Sequence, residues 1–250
     1  MVLTGTSTYT GATDVSEGKL VVNGDISSSS KVTVEAGGTL GGSGKVGALE
    51  VASGGTLAVG NSPGTLNAGN TTWAGGASLA WEVDDSTGNE LYNENFLSGK
   101  GANWDFLDVT GTLNVTATSG NKFIIDVISL LNGTNTDGAA DGFLPGIDYQ
   151  FAIATASGGI QIGGLERASY GSEAAFNAAL AALFDINTGG FANNAGNDAL
   201  WSISTFAGTG TERSLLLTYS GGATAIPEPN SAALVLVGLG AALLKRRRRG

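Results

Sequence analysis

A short phrase, Gly-Thr-Leu or a close variant, keeps returning through the first half of the chain. It occurs as Gly18-Lys19-Leu20-Val21-Val22, Gly38-Thr39-Leu40, Gly55-Thr56-Leu57-Ala58-Val59, Gly64-Thr65-Leu66 and Gly111-Thr112-Leu113-Asn114-Val115. Glycine supplies a turn and the Leu/Val alternation supplies a half-buried strand. The pairs Val32/Val34, Leu49/Val51 and Leu57/Val59 carry the period of two expected of a strand. Leu20, Leu40 and Leu57 are separated by steps of 20 and 17 residues, the range of solenoid coils. One coil of this size cannot bury its inward face alone; stacked coils bury it for one another.

Composition narrows the fold further. Of 250 residues, 41 are glycine and only 14% are charged, which argues against a helical globular protein. Hydrophobic residues make up 42%, enough to build a core and so to exclude ordinary disorder. The expected class is all-β, with short strands between Gly-rich turns. There is no cysteine and no histidine, so no disulfide can staple the fold and no thiolate zinc site can form. The net charge is −10, yet five of the twelve bases lie in the last six residues. Without them and without Glu228, 21 acids against 7 bases give the body −14. Such a body repels nucleic acid and anionic lipid, so no nucleic-acid partner is expected. The start, Met1-Val2-Leu3-Thr4, has no basic and apolar leader of the signal-peptide kind. Leu3-Thr4-Gly5 reads instead like the inside of a repeat, and an N-terminus lost from a longer chain is the expectation.

The repeated phrases resemble the autotransporter-associated β-strand repeat. The likeness rests on Leu3-Thr4-Gly5 with Thr8-Tyr9-Thr10-Gly11, on residues 15–24, and on Gly37-Gly38-Thr39-Leu40-Gly41-Gly42-Ser43-Gly44. It continues through Gly60-Asn61-Ser62-Pro63-Gly64-Thr65-Leu66 and Asp105-Phe106-Leu107-Asp108-Val109-Thr110-Gly111. Val59 stands where the family usually has proline. The resemblance implies a right-handed parallel β-helix over residues 1–120, ending in irregular strands. A true autotransporter closes with a membrane β-barrel, for which the segment after the repeats leaves no room.

Residues 121–219 read as an irregular β-rich closing region. Phe123-Ile124-Ile125-Asp126-Val127-Ile128 suggests a buried strand, and Tyr149-Gln150-Phe151-Ala152-Ile153-Ala154 a half-buried one. Ser172 is a candidate cap for a helix reaching about Phe184, with Phe176, Leu180 and Leu183 on one face. Trp201-Ser202-Ile203-Ser204 and Leu215-Leu216-Leu217-Thr218-Tyr219 read as closing strands, and residues 220–226 as a small-residue linker.

The last segment, 227–250, has three parts in order. Pro227-Glu228-Pro229 holds an extended, exposed conformation that a processing enzyme can bind. Residues 231–244 carry no charge; as a helix these roughly 14 residues span about 21 Å, short of the hydrocarbon core of about 30 Å. Snorkelling side chains and local thinning make up the shortfall. Lys245, Arg246, Arg247, Arg248 and Arg249 stay cytoplasmic by the positive-inside rule. This arrangement resembles the PEP-CTERM sorting domain of Gram-negative bacteria, whose Pro-Glu-Pro motif, short transmembrane stretch and Arg-rich end are recognised by an exosortase. The resemblance implies an exported envelope or extracellular protein. It also implies a transient inner-membrane intermediate, anchored by a transmembrane helix over 231–244 with its C-terminus in the cytoplasm. A permanent tail anchor is the alternative.

Several motifs look chemical. Gly60-Asn61-Ser62-Pro63-Gly64 fits the G-x-S-x-G nucleophile pattern, but there is no histidine base, and Pro63 has no N–H for an oxyanion. Gly42-Ser43-Gly44-Lys45-Val46-Gly47 fits G-x-G-x-x-G without a following amphipathic helix. Asp84-Asp85 and Asp137/Asp141 are candidate Ca²⁺ ligands read more simply as solvated loop charges. Trp73, Trp81, Trp104 and Trp201 are either core residues or stacking platforms for sugars. The reading taken is a structural or adhesive surface protein, with no catalytic residues, cofactor or metal. An extracellular polysaccharide is a candidate partner, and a polysaccharide-acting or polysaccharide-binding β-helix is the alternative.

Overall fold

The computed structural model describes residues 1–90, 97–165, 169–193, 200–207 and 213–221. Twenty strands and one helix occur among them. The first sheet stacks β1 (Val2–Leu3), β3 (Gly18–Val22), β6 (Gly38–Gly42), β9 (Thr56–Val59), β12 (Ser78–Val83), β15 (Phe123–Ser129) and β18 (Phe184–Gly190), in that order and all parallel. The second stacks β4 (Asp25–Ile26), β7 (Lys45–Val46), β10 (Thr65–Ala68), β13 (Phe106–Val109) and β16 (Tyr149–Ala156). The third stacks β2 (Thr13–Val15), β5 (Val32–Val34), β8 (Leu49–Val51), β11 (Thr71–Trp73), β14 (Leu113–Val115) and β17 (Ile160–Ile162). From β3 to β17 the chain visits the three sheets in strict rotation, and each strand from β5 to β15 pairs with the strand three places before it and three places after it. Parallel sheets linked in this way are compatible with a β-helix or solenoid.

The register places the recurring leucines. Leu20 pairs with Leu40, Leu40 with Leu57, and Leu57 with Leu79, forming one inward column in the first sheet. Leu66 and Leu113 stand elsewhere, in the second and third sheets. The phrase therefore encodes "turn, then strand" at any of the three corners rather than one unit per coil. Inward columns of Val15, Val34, Val51, Trp73 and Val115 fill the third sheet, and all of them are buried.

The closing region differs from its sequence reading in the burial of two strands and in the length of its helix. β15, expected to be buried throughout, alternates buried and half-buried residues, whereas β16, expected to be half-buried, is buried on both faces beyond Gln150. The cause is a small apolar patch on the outer face of the second sheet. Phe106, Ala152 and Leu216 form a small cluster separate from the main core. The Trp104 indole, buried in the main core, donates to the Ala152 carbonyl at 2.8 Å. β20 (Arg213–Tyr219) adds to β16 antiparallel, with a register shift between Ala152 and Ala154, and β19 (Trp201–Ala207) adds antiparallel to β20. The expected closing strands are thus an antiparallel addition to the second sheet. Helix α1 (Glu173–Ala181) starts where expected, with the Ala175 N–H donating to Ser172 Oγ at 3.2 Å. It buries Phe176 and Leu180 and stops before Leu183, because Phe184 already belongs to β18.

Candidate functional site

The corner between the first and second sheets holds two of the motifs singled out from sequence, 42–47 and 60–64. Its early turns are tight. Gly42 has φ +108°, and a Cβ there would stand 2.2 Å from the Val22 carbonyl oxygen, so no other residue fits. Successive turns are stitched by side chains. Asn23 Oδ1 accepts from the Ser43 N–H at 3.2 Å and from Asn61 Nδ2 at 2.9 Å, and Asn61 Nδ2 also reaches Ser43 Oγ at 3.3 Å.

The G-x-S-x-G segment forms the next turn. Ser62 has φ +70° and is the non-glycine residue with positive φ among those described, a conformation that costs free energy and needs outside support. The support is Glu82 on β12, whose Oε2 accepts the Ser62 hydroxyl. One step further in, Asp105 Oδ1 accepts from the Gly64 N–H at 2.9 Å and Oδ2 from the Glu82 N–H at 3.1 Å. The Asp105 backbone is also tied, its carbonyl to the Trp81 indole at 2.8 Å and its N–H to the Glu82 carbonyl at 2.9 Å. Asp105 is 1% exposed. Burial pushes its carboxyl well above the ordinary range, and the charge of Glu82 adds to the effect. The N–H donors of Gly64 and Glu82 and the charge of Lys19 act against it. A cavity of about 110 Å³ opens beside this group, lined by Lys19, Ala58, Asn61, Ser62, Glu82 and Asn135. The motif is therefore a turn with a carboxylate partner. Neither Glu82 nor Asp105 was read from sequence as a partner of this turn, because both come from the next coil around. Their signal was register: Gly64 precedes the Thr65–Phe106 pair as Asp105 does.

The other candidates are placed as follows. Gly42-Ser43-Gly44-Lys45-Val46-Gly47 runs from β6 into β7, with no helix behind it. Asp84, Asp85 and Asp141 come together where two insertions meet. Asp85 bridges Asp141, and Asp84 Oδ2 accepts from the Gly133 N–H at 3.1 Å. Burial raises the Asp84 carboxyl, with smaller contributions from the charges of Asp85 and Asp141. Asp137 lies opposite Leu130 instead. Among the described residues no group of three or more acidic side chains is placed to hold a metal ion. All four tryptophans are interior: Trp73 stacks on Phe123 at 4.6 Å, Trp81 and Trp104 flank Phe151, and Trp201 lies 5.1 Å from Tyr219. None is available as a surface platform for a sugar ring.

Pro227, Glu228 and Pro229, the uncharged stretch 231–244, and Lys245 to Arg249 all lie outside the described residues. Among the described residues no helix is long and apolar enough to cross a membrane. The family model of the PEP-CTERM protein-sorting motif matches residues 225–249. A search of characterised proteins finds no match to the chain. The sorting-motif match supports delivery to the cell surface by an exosortase and implies export to the cell envelope.

Proposed function

We propose that the chain is a structural or adhesive surface protein, carried out of the cell on its C-terminal signal and then parted from it. The observation that carries this reading is the sorting motif at 225–249. In this reading, residues 231–244 sit in the inner membrane as a transient helix. Lys245 to Arg249 hold the end in the cytoplasm, and an exosortase acts near Pro227-Glu228-Pro229. The β-rich body is the cargo. Its coils take the right hand that parallel crossovers favour. A scaffold of stacked coils needs no disulfide to persist outside the cell, which agrees with the absence of cysteine. Its role is non-enzymatic, and association with extracellular polymer runs through hydroxyl and amide side chains on the outer strand faces, since the tryptophans are inside.

The test is expression with and without an exosortase, followed by mass measurement of the mature C-terminus. A shortened chain only in the exosortase strain is the expected result; an intact C-terminus in both strains rejects the reading. Replacing Pro227-Glu228-Pro229 by alanines leaves the body folded, with an unchanged circular dichroism spectrum, but retained in the cell. Normal release of that variant counts against the motif as the handle.

A further inference from the structure

Asp84 is not the solvated loop charge that its sequence context suggests: it is 4% exposed. The charges acting on it are those of Asp85 and Asp141, both negative. Burial makes an unpaired carboxylate costly, and like charges add to the cost. Two polar side chains that follow it are also buried, Ser86 at 0% and Asn89 at 2% exposure. Ser86 Oγ and Asn89 Nδ2 have no hydrogen-bond partner among the described residues, and a buried polar atom left in that state costs free energy. The backbone sets the direction of these groups. The Asp141 N–H donates to the Asp84 carbonyl at 2.8 Å and the Ser86 N–H to the Asp141 carbonyl at 2.8 Å, so Asp85 and Asp141 form one parallel rung. Partners in a rung share a face, and the residues on either side of them take the other. Asp84 and Ser86 therefore point together, to the buried side. Gly133 N–H occupies Asp84 Oδ2 at 3.1 Å and leaves Oδ1. Ser86 opens a turn closed by the Asn89 N–H on its carbonyl at 3.1 Å, and the Asn89 carbonyl is held in turn by the Gln150 N–H at 3.1 Å. The polar groups are thus fixed in place by the fold itself.

We propose that Asp84, Ser86 and Asn89 bind a hard divalent cation, Ca²⁺, where the insertion 84–105 meets the insertion 130–148. Asp84 supplies Oδ1 and Ser86 supplies Oγ. Asn89, its amide turned over about the last side-chain bond, supplies Oδ1 in place of the unpartnered Nδ2. All three ligands are oxygens, which suits Ca²⁺ and not a soft metal. Ca²⁺ also accepts an irregular shell completed by water, whereas Mg²⁺ demands a compact octahedron. Clustered carboxylates are not needed at such a site: Asp85 and Asp141, on the opposite face of the rung, contribute their field and not their oxygens. A single direct carboxylate makes the site weak, with a Kd of about 10⁻⁴–10⁻³ M, the range of extracellular Ca²⁺ modules. The ion offsets the buried charge of Asp84, gives the Ser86 hydroxyl a partner and tightens the junction that Gly133 already makes with Asp84. The site is independent of how the protein is exported.

The experiment is a calorimetric titration of the full chain in detergent micelles, stripped of metal by a chelator, with CaCl₂ and separately with MgCl₂, beside thermal unfolding at each concentration. The expected result is saturable binding of one Ca²⁺ per chain, weaker binding of Mg²⁺, and an unfolding midpoint that rises with Ca²⁺. Asp84→Asn should weaken Ca²⁺ binding by about tenfold or more, since even the loss of an outer-shell partner costs a metal site that much. Asp137→Asn, at an exposed acid of the second insertion, should leave binding unchanged. Ser86→Ala separates a ligand from a packing residue. It removes a buried hydroxyl that has no partner, so the metal-free protein should be no less stable, while the rise of the midpoint with Ca²⁺ should be largely lost. Absence of saturable Ca²⁺ binding overturns the site. So does a loss on Asp137→Asn equal to that on Asp84→Asn, or unchanged Ca²⁺ binding by Ser86→Ala. Should Asp84→Asn fail to fold, the wild-type titration and Ser86→Ala still decide the question.

Discussion

The coils up to β12 and the coils after it use the same three-sheet rotation but fill it differently. The early inward columns are aliphatic as far as β10, with Leu20, Leu40, Leu57, Val34, Val51 and Val46, and the first inward aromatics are Trp73 on β11 and Trp81 on β12. The later ones are led by aromatics: Trp104, Phe123, Tyr149, Phe151, Phe184 and Trp201. The spacing changes with them. Successive inward residues of the first sheet are 20, 17 and 22 residues apart from Leu20 to Leu79, then 46 to Ile125 and 61 to Ile186. Charge is divided as well. Residues 1–81 carry five acids and three bases, while residues 82–226 carry sixteen acids and four bases. Most of the buried polar residues, including Asp84, Ser86, Asn89, Asp105 and Ser129, also lie in the later part. A regular coil is held by its backbone ladders and a narrow aliphatic column. A coil with insertions must also pack the chain that leaves and re-enters it, and here large rings and buried hydrogen bonds take on that task.

The sharpest way to break this comparison is to delete a ring that serves both purposes. Trp104 is fully buried, packs edge-on to Phe151 at 5.5 Å and donates to the Ala152 carbonyl. Trp104→Ala should cost about 4–5 kcal/mol in chemical denaturation, from lost packing and an orphaned carbonyl together. Gly42→Ala tests the early coils at their tightest point. Its φ of +108° and the 2.2 Å approach to Val22 leave no place for a methyl group, so the corner must shift at a cost of about 3 kcal/mol. Leu40→Ala removes one member of the aliphatic column and should cost about 2–4 kcal/mol. A loss for Leu40→Ala larger than that for Trp104→Ala would reverse the division drawn here.

Much of the early region was legible because its residue spacing is the coil itself. The steps from Leu20 to Leu40 to Leu57 are the observed register. Ser172 also read correctly as a cap, since a serine before a run of alanines has few other uses. The burial of β16 was not legible. Its alternation is that of a half-buried strand, and only neighbours distant in sequence, Phe106 on β13 and Leu216 on β20, join Ala152 on the outer face. Nor was the carboxylate behind Ser62, because Glu82 follows it by 20 residues and Asp105 by 43, and only stacked coils bring such positions together. Local patterns report local structure; long insertions hide which residues will be neighbours.

The smallest effect belongs to the ion pair of the regular coils. Lys31 Nζ and Glu50 Oε2 are 2.8 Å apart, the one salt bridge among the described residues, with both side chains substantially exposed at 47% and 39%. It joins neighbouring coils, because β5 and β8 pair directly through Val32–Leu49 and Thr33–Glu50. An exposed pair gains little over its hydrated partners and loses side-chain freedom, so Lys31→Ala should cost about 0.5 kcal/mol or less in the denaturation midpoint, and the difference should shrink further in high salt. A larger, salt-sensitive loss would mean that charge between coils, and not the ladder and the column of leucines, sets the stability of the regular region. The contrast with the aromatic half would then lie in electrostatics rather than packing.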